Sequence, residues 1–70
     1  MNIKSKNESK CTLVVANSTK VQISQLIKML KNKHISFRTT EKNNNLTIIF
    51  TTLEGYRLGL SLIESYISFL

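Results

Sequence analysis

Proline, tryptophan and aspartate are absent from this chain, and it has one cysteine, one histidine and two glycines. Each gap closes a route. A lone thiol, Cys11, cannot form an internal disulfide, which suits a reducing compartment. Metal ligation needs grouped Cys, His, Asp or Glu. Here Cys11 and His34 lie far apart and the acids are four scattered glutamates, Glu8, Glu41, Glu54 and Glu64. No metal set and no cofactor is expected. Gly55 and Gly59 fall inside an apolar helical pattern and make no phosphate-cradling loop. Without proline or a polar linker the chain offers no internal boundary.

Catalysis has little to work with. Cys11 and His34 resemble a nucleophile and base only by residue type, with no acidic orienter and no oxyanion turn near either. A lone strand cysteine reads as a small buried hydrophobe, and a histidine after Lys31 and Lys33 suits a helix C-terminus. A non-enzymatic role is expected.

What the chain has is basic charge and aliphatic surface. The formal net charge is +6, compatible with nucleic acid, an acidic protein or a membrane surface. Abundant Lys, Asn and Ile also follow from an AT-rich coding sequence, so charge alone names no partner. The N-terminal stretch "MNIKSKNESK" has lysines but no long apolar run behind it, so no leader is expected. The apolar C-terminal segment is shorter than the roughly 20 residues a bilayer span needs, and it carries Glu54, Arg57 and Glu64. A cytoplasmic protein with no membrane association is expected.

Read in order, residues 1–9 form a flexible basic tail, and residues 10–70 a single α+β domain. "KCTLVVA" is short and β-branched, as a strand is. Thr19 and Gln22 fit a capping box, ahead of an apolar stripe of Ile23, Leu26, Ile27, Leu30 and His34. Val21 falls off that stripe, which leaves open a short strand "KVQI" before a helix capped by Ser24. The capping box favours the longer helix. "HISFRTT" and "NLTIIFTT" alternate across "EKNNN", whose asparagines tolerate a tight reversal, so they form a hairpin. Thr51 or Thr52 then caps a second helix.

The expected fold is β-α-β-β-α. A right-handed crossover makes the first two strands parallel, and the hairpin makes the third antiparallel to both. That gives a three-stranded antiparallel sheet of order 1-3-2, with both helices on one face. In topology this resembles part of a split, ferredoxin-like β-α-β unit. The third strand is the most apolar and belongs in the middle, with Ile48 and Ile49 on opposite faces.

The second helix is greasier than one sheet requires. Leu53, Tyr56, Leu60, Ile63, Ile67 and Leu70 make a stripe sufficient to cover a sheet. Leu58, Leu62, Tyr66 and Phe69 widen the apolar arc to roughly 220°, about twice what one packing face demands. Gly55 and Gly59 beside that stripe would admit a close backbone. A chain of 70 residues buries only about 60% of its unfolded surface, and domains this small usually need a staple or a partner. A homo-oligomer or another protein partner is therefore expected, with Leu58, Leu62, Tyr66 and Phe69 as the self-association surface and the polar edge strand Ile35 to Lys42 as the alternative place to meet another protein. The competing expectation is nucleic-acid binding through phosphates. Lys20, Lys28 and Lys31 fall on one line of the first helix, with Lys4, Lys6 and Lys10 in the tail to assist. The strand phenylalanines have core parity, so the sheet offers no aromatic for base stacking.

Overall fold

The computed structural model describes residues 1–70. Its elements are β1 (Asn2–Asn7), β2 (Thr12–Ala16), α1 (Lys20–Asn32), β3 (Phe37–Lys42), β4 (Asn45–Phe50) and α2 (Leu53–Ser68). The sheet has four strands, antiparallel throughout, in the order β1-β2-β4-β3. This corrects the expected three-stranded sheet. The segment read as a tail supplies the extra strand, pairing from Asn2↔Ala16 to Asn7↔Thr12. The reason is physical. An edge strand needs one partner and one covered face, so β1 manages with a single aliphatic residue, half-buried Ile3. Its inward-pointing backbone donors and acceptors are satisfied by β2, and backbone pairing leaves no trace in side-chain hydropathy. Where a full β-α-β-β-α-β unit sets its last strand after the second helix, the fourth strand here enters through a hairpin ahead of β2.

Turn chemistry sets the rest. Asn43 (φ 51) and Asn44 (φ 66) form the two-residue reversal between β3 and β4, where asparagine best tolerates positive φ. Cys11 also sits at φ 51, which corrects its placement at a strand start. It closes the β1–β2 turn, donating its N–H to Glu8 O (3.1 Å) and accepting from Phe50 N (2.8 Å) at its carbonyl.

Thr19 caps α1 reciprocally with Gln22. Gln22 N donates to Thr19 Oγ1 at 3.1 Å, and Thr19 N donates to Gln22 Oε1 at 3.0 Å. Residues 20–23 are therefore helix rather than strand. Thr19→Ala is expected to cost about 1 kcal/mol, read as a lower urea midpoint with unchanged slope. At the other end His34 takes φ 58, the left-handed step that ends many helices. Thr52 caps α2, accepting from Gly55 N at 2.9 Å.

The core lies between one sheet face and the helix pair. Leu13 and Val15 of β2 and Leu46, Ile48 and Phe50 of β4 meet Ile23, Leu26 and Leu30 of α1 and Tyr56 and Ile63 of α2. Both helices thus cover the same face. Because β2 and β3 run the same way, α1 runs back against them. α2 follows β4 and so runs antiparallel to α1. α1 sits beside β3, where Lys20, Ile23, Ser24, Ile27 and Glu41 line one cleft. α2 sits toward β1, tied by Lys6–Glu64 (3.4 Å) and by Arg57–Glu8 (3.3 Å) at the β1–β2 turn. Both pairs are half exposed or more, so each contributes less than about 1 kcal/mol.

α2 follows the expected stripe only at its centre. Tyr56, Gly59 and Ile63 are buried, Leu60 and Ile67 half-buried, while Leu53 and Leu70 at the helix ends are exposed. The glycines serve the chain's own packing rather than another backbone. A Cβ on Gly59 would overlap the edge of the Phe50 ring and lie 3.4 Å from Leu30 Cδ2, and one on Gly55 would lie 3.1 Å from Thr52 Oγ1.

Candidate functional site

Two surfaces carry most of the residues singled out by the sequence. The first is the flank of α2 that turns toward α1. Tyr66 lies there, its hydroxyl donating to Gln25 Oε1 of α1. Leu62 and Tyr66 are half-buried and packed against the core, whereas Leu58 is 45% exposed and Phe69 88% exposed. Successive members of this set lie three or four residues apart, which puts them on one helical line. The core therefore absorbs the middle of the surplus apolar arc and leaves its two ends in solvent. None of the four side chains is charged. The opposite flank of α2 holds Arg57 and Glu64, already engaged with the β1 side.

The second surface is cationic. Lys20, Lys28 and Lys31 are all exposed along α1. The structure does not bring Lys4, Lys6 and Lys10 to them. Lys4 sits at the irregularity between Ile3 and Ser5, Lys6 points to Glu64, and Lys10 lies in the β1–β2 turn. They belong to the β1 side, while α1 sits beside β3 at the opposite edge. A tail that wraps to reinforce the α1 lysines is therefore not available.

Cys11 and His34 are likewise not assembled into a centre. Cys11 is a half-buried free thiol packed against the core. His34 is exposed and lines a shallow cleft between the end of α1 and the start of α2, with Lys33, Ser36, Thr52, Glu54 and Leu58. Cys11 is not part of that cleft.

The bare face of the sheet shows Arg38, Thr40 and Lys42 of β3 beside Thr47 and Ile49 of β4, following the pairing register. Ile49 is 39% exposed, and the three phenylalanines lie elsewhere, Phe37 and Phe50 on the core side and Phe69 beyond α2. Strand alternation set Phe37, Ile48 and Phe50 opposite Arg38, Thr40, Thr47 and Ile49, and the segment Ile35 to Lys42 was expected as a polar edge strand, which is where β3 lies. The cleft beneath α1 was not expected, because it depends on how far the helices reach across the sheet, for which a linear pattern carries no signal.

No protein-family model matches the chain, and no curated protein or solved structure matches it. No helix is long and apolar enough to cross a membrane.

Proposed function

We propose that this protein is an interaction module that acts by docking rather than by catalysis, and that it associates with itself through the α2 flank of Leu58, Leu62, Tyr66 and Phe69. The observation that carries this reading is Phe69, 88% exposed at the end of a line that includes Leu58 at 45%. Exposed apolar residues grouped on one face mark an interface. The occupant follows from charge. At +6, two copies repel over most approaches, and the uncharged α2 flank is where a copy comes close at least electrostatic cost. A two-fold axis beside α2 would set the line against its own image, the usual arrangement of a homodimer.

Sedimentation across a micromolar dilution series is the test. The wild type should dimerise, and Leu58→Lys with Phe69→Lys should remain monomeric with unchanged circular dichroism, because both positions are exposed. Burial of each large apolar side chain contributes about 1.5–3 kcal/mol, so the pair should weaken dimerisation by roughly a hundredfold or more. A wild type that stays monomeric over the whole series refutes the reading.

A further inference from the structure

β3 is a free edge of an unusual kind. The other edge strand, β1, is broken by a register irregularity between Ile3 and Ser5 and is bound to α2 through Lys6, both common ways of blunting an edge. β3 has neither device and is guarded by charge alone, from Arg38, Glu41 and Lys42. Its pairing with β4 runs unbroken from Phe37↔Phe50 to Lys42↔Asn45. A two-residue reversal makes Lys42 and Asn45 a hydrogen-bonded pair, and alternation then turns Thr40 and Arg38 inward as well. Ser36 keeps the same parity, accepting from Thr51 N at 3.1 Å. The backbone groups of Thr39 and Glu41 therefore point away from the sheet and lack a strand partner.

The two sides of this edge differ in chemistry. On the helix side Thr39 and Glu41 are exposed although they share the core parity, because the helix layer stops short of the edge. The gap is a cleft floored by Ile23 and Ile27, with Lys20 and Glu41 on its walls. On the bare side Arg38 and Lys42 stand two strand steps apart, and neither forms an ion pair within the chain.

From this juxtaposition we propose that β3 receives an extended segment of another protein as a fifth strand, and that the segment alternates acidic and apolar residues. Strand alternation sends every second side chain to one face. The acidic positions meet Arg38 and Lys42 on the bare side, and the apolar positions enter the cleft over Ile23 and Ile27. Backbone bonds to Thr39 and Glu41 supply the sequence-independent part of the affinity, as in strand-addition complexes generally. A second copy of β3 is the poorer guest, since it brings its own Arg38 and Lys42 to a cationic edge. This inference uses a surface other than the α2 flank and shares with the previous reading only the premise that the chain acts by docking.

The probe is a short fluorescent peptide of alternating Glu and Val, titrated by anisotropy with amide spectra recorded in parallel. A peptide of the same composition with Glu and Val in two blocks, and an alternating Lys–Val peptide, are the controls. The alternating acidic peptide should bind best, shifting amides of β3 and of α1 around Ile23 and Ile27. Thr39→Pro removes one outward N–H at a position where an edge strand tolerates proline, and should weaken binding about tenfold. Arg38→Glu with Lys42→Glu should weaken it about tenfold and transfer the preference to the Lys–Val peptide. Repeating the titration on the Leu58→Lys and Phe69→Lys variant separates this result from self-association, because that variant should bind the peptide unchanged. Equal binding of the block peptide, indifference to Thr39→Pro, shifts confined to α2, or no saturable binding each overturns the proposal. So does a loss of dimer on Thr39→Pro, which would give the edge to a second copy, or displacement of the peptide by single-stranded RNA.

Discussion

A chain lacking residues 1–8 should fail to fold cooperatively at 25 °C, giving a sloping denaturation curve and precipitation at concentrations where the full chain stays clear. Three losses combine. The partly buried contacts of Met1 and Ile3 with the core disappear, at up to about 1.5–3 kcal/mol for a fully buried side chain. The ion pairs of Glu8 and Lys6 with α2 go as well. Most important, β2 becomes an edge. Its sequence TLVVA is aliphatic and uncharged, the composition that recruits other chains when left unpaired. A domain of this size seldom has more than about 3–5 kcal/mol to lose. Were the segment a tail, removing it would change stability by no more than about 0.5 kcal/mol. The two outcomes are far apart, and a urea titration followed by circular dichroism separates them.

Gly59 should be the least replaceable position of α2. In an exposed helix Gly→Ala stabilises by about 1 kcal/mol. Here the new methyl would be directed into the Phe50 ring, 2.5 Å from its Cζ. That ring cannot easily turn aside, because it is 3% exposed and held edge-on against Tyr56 (83°, centroids 5.9 Å apart) with Phe37 on another side (6.4 Å). Overpacking of this kind costs about 1–3 kcal/mol and occasionally more, so Gly59→Ala should destabilise despite its better propensity. Gly59→Val should leave little folded protein. Phe50→Leu in the Gly59→Ala background should recover part of the loss, giving a coupling of at least about 0.5 kcal/mol between the two positions. Additive effects in that cycle would mean that α2 rides farther from β4 than the structure shows. Gly55→Ala, with Thr52 Oγ1 at 3.1 Å and Ile35 Cγ2 at 3.5 Å, should change stability much less.

These two expectations also mark where sequence and structure part company. Local chemistry was legible wherever one short stretch contained its own reason. Thr19 and Gln22 carry a capping box within four residues. Asn43 and Asn44 announce their reversal, and the alternation of Phe37, Ile48 and Phe50 against Arg38, Thr47 and Ile49 assigns the two faces. Of the topology, only the place of β4 between β2 and β3 was legible, from a crossover and a hairpin with every neighbour antiparallel, while the sheet itself has a fourth strand that was not expected. β1 was illegible because its stabilisation is almost wholly backbone pairing to a strand that side-chain pattern identifies and β1's own pattern does not. Gly59 was half legible. A glycine inside a helix implies a close approach, but only the packed pair of α2 on β4 shows that the approaching group is Phe50. The surfaces divide in the same way. The amino-acid sequence by itself determined that α2 carries more apolar area than one sheet can cover and that α1 carries a line of lysines. The tertiary structure decided that Leu62 and Tyr66 are half-buried against the core while Leu58 and Phe69 stay in water. It also decided that Lys4, Lys6 and Lys10 fall on the far edge, and that the helix layer ends before β3 does. Periodicity describes one element against an unspecified neighbour, whereas the exposed remainder of a fold depends on which neighbours arrive and how far they extend.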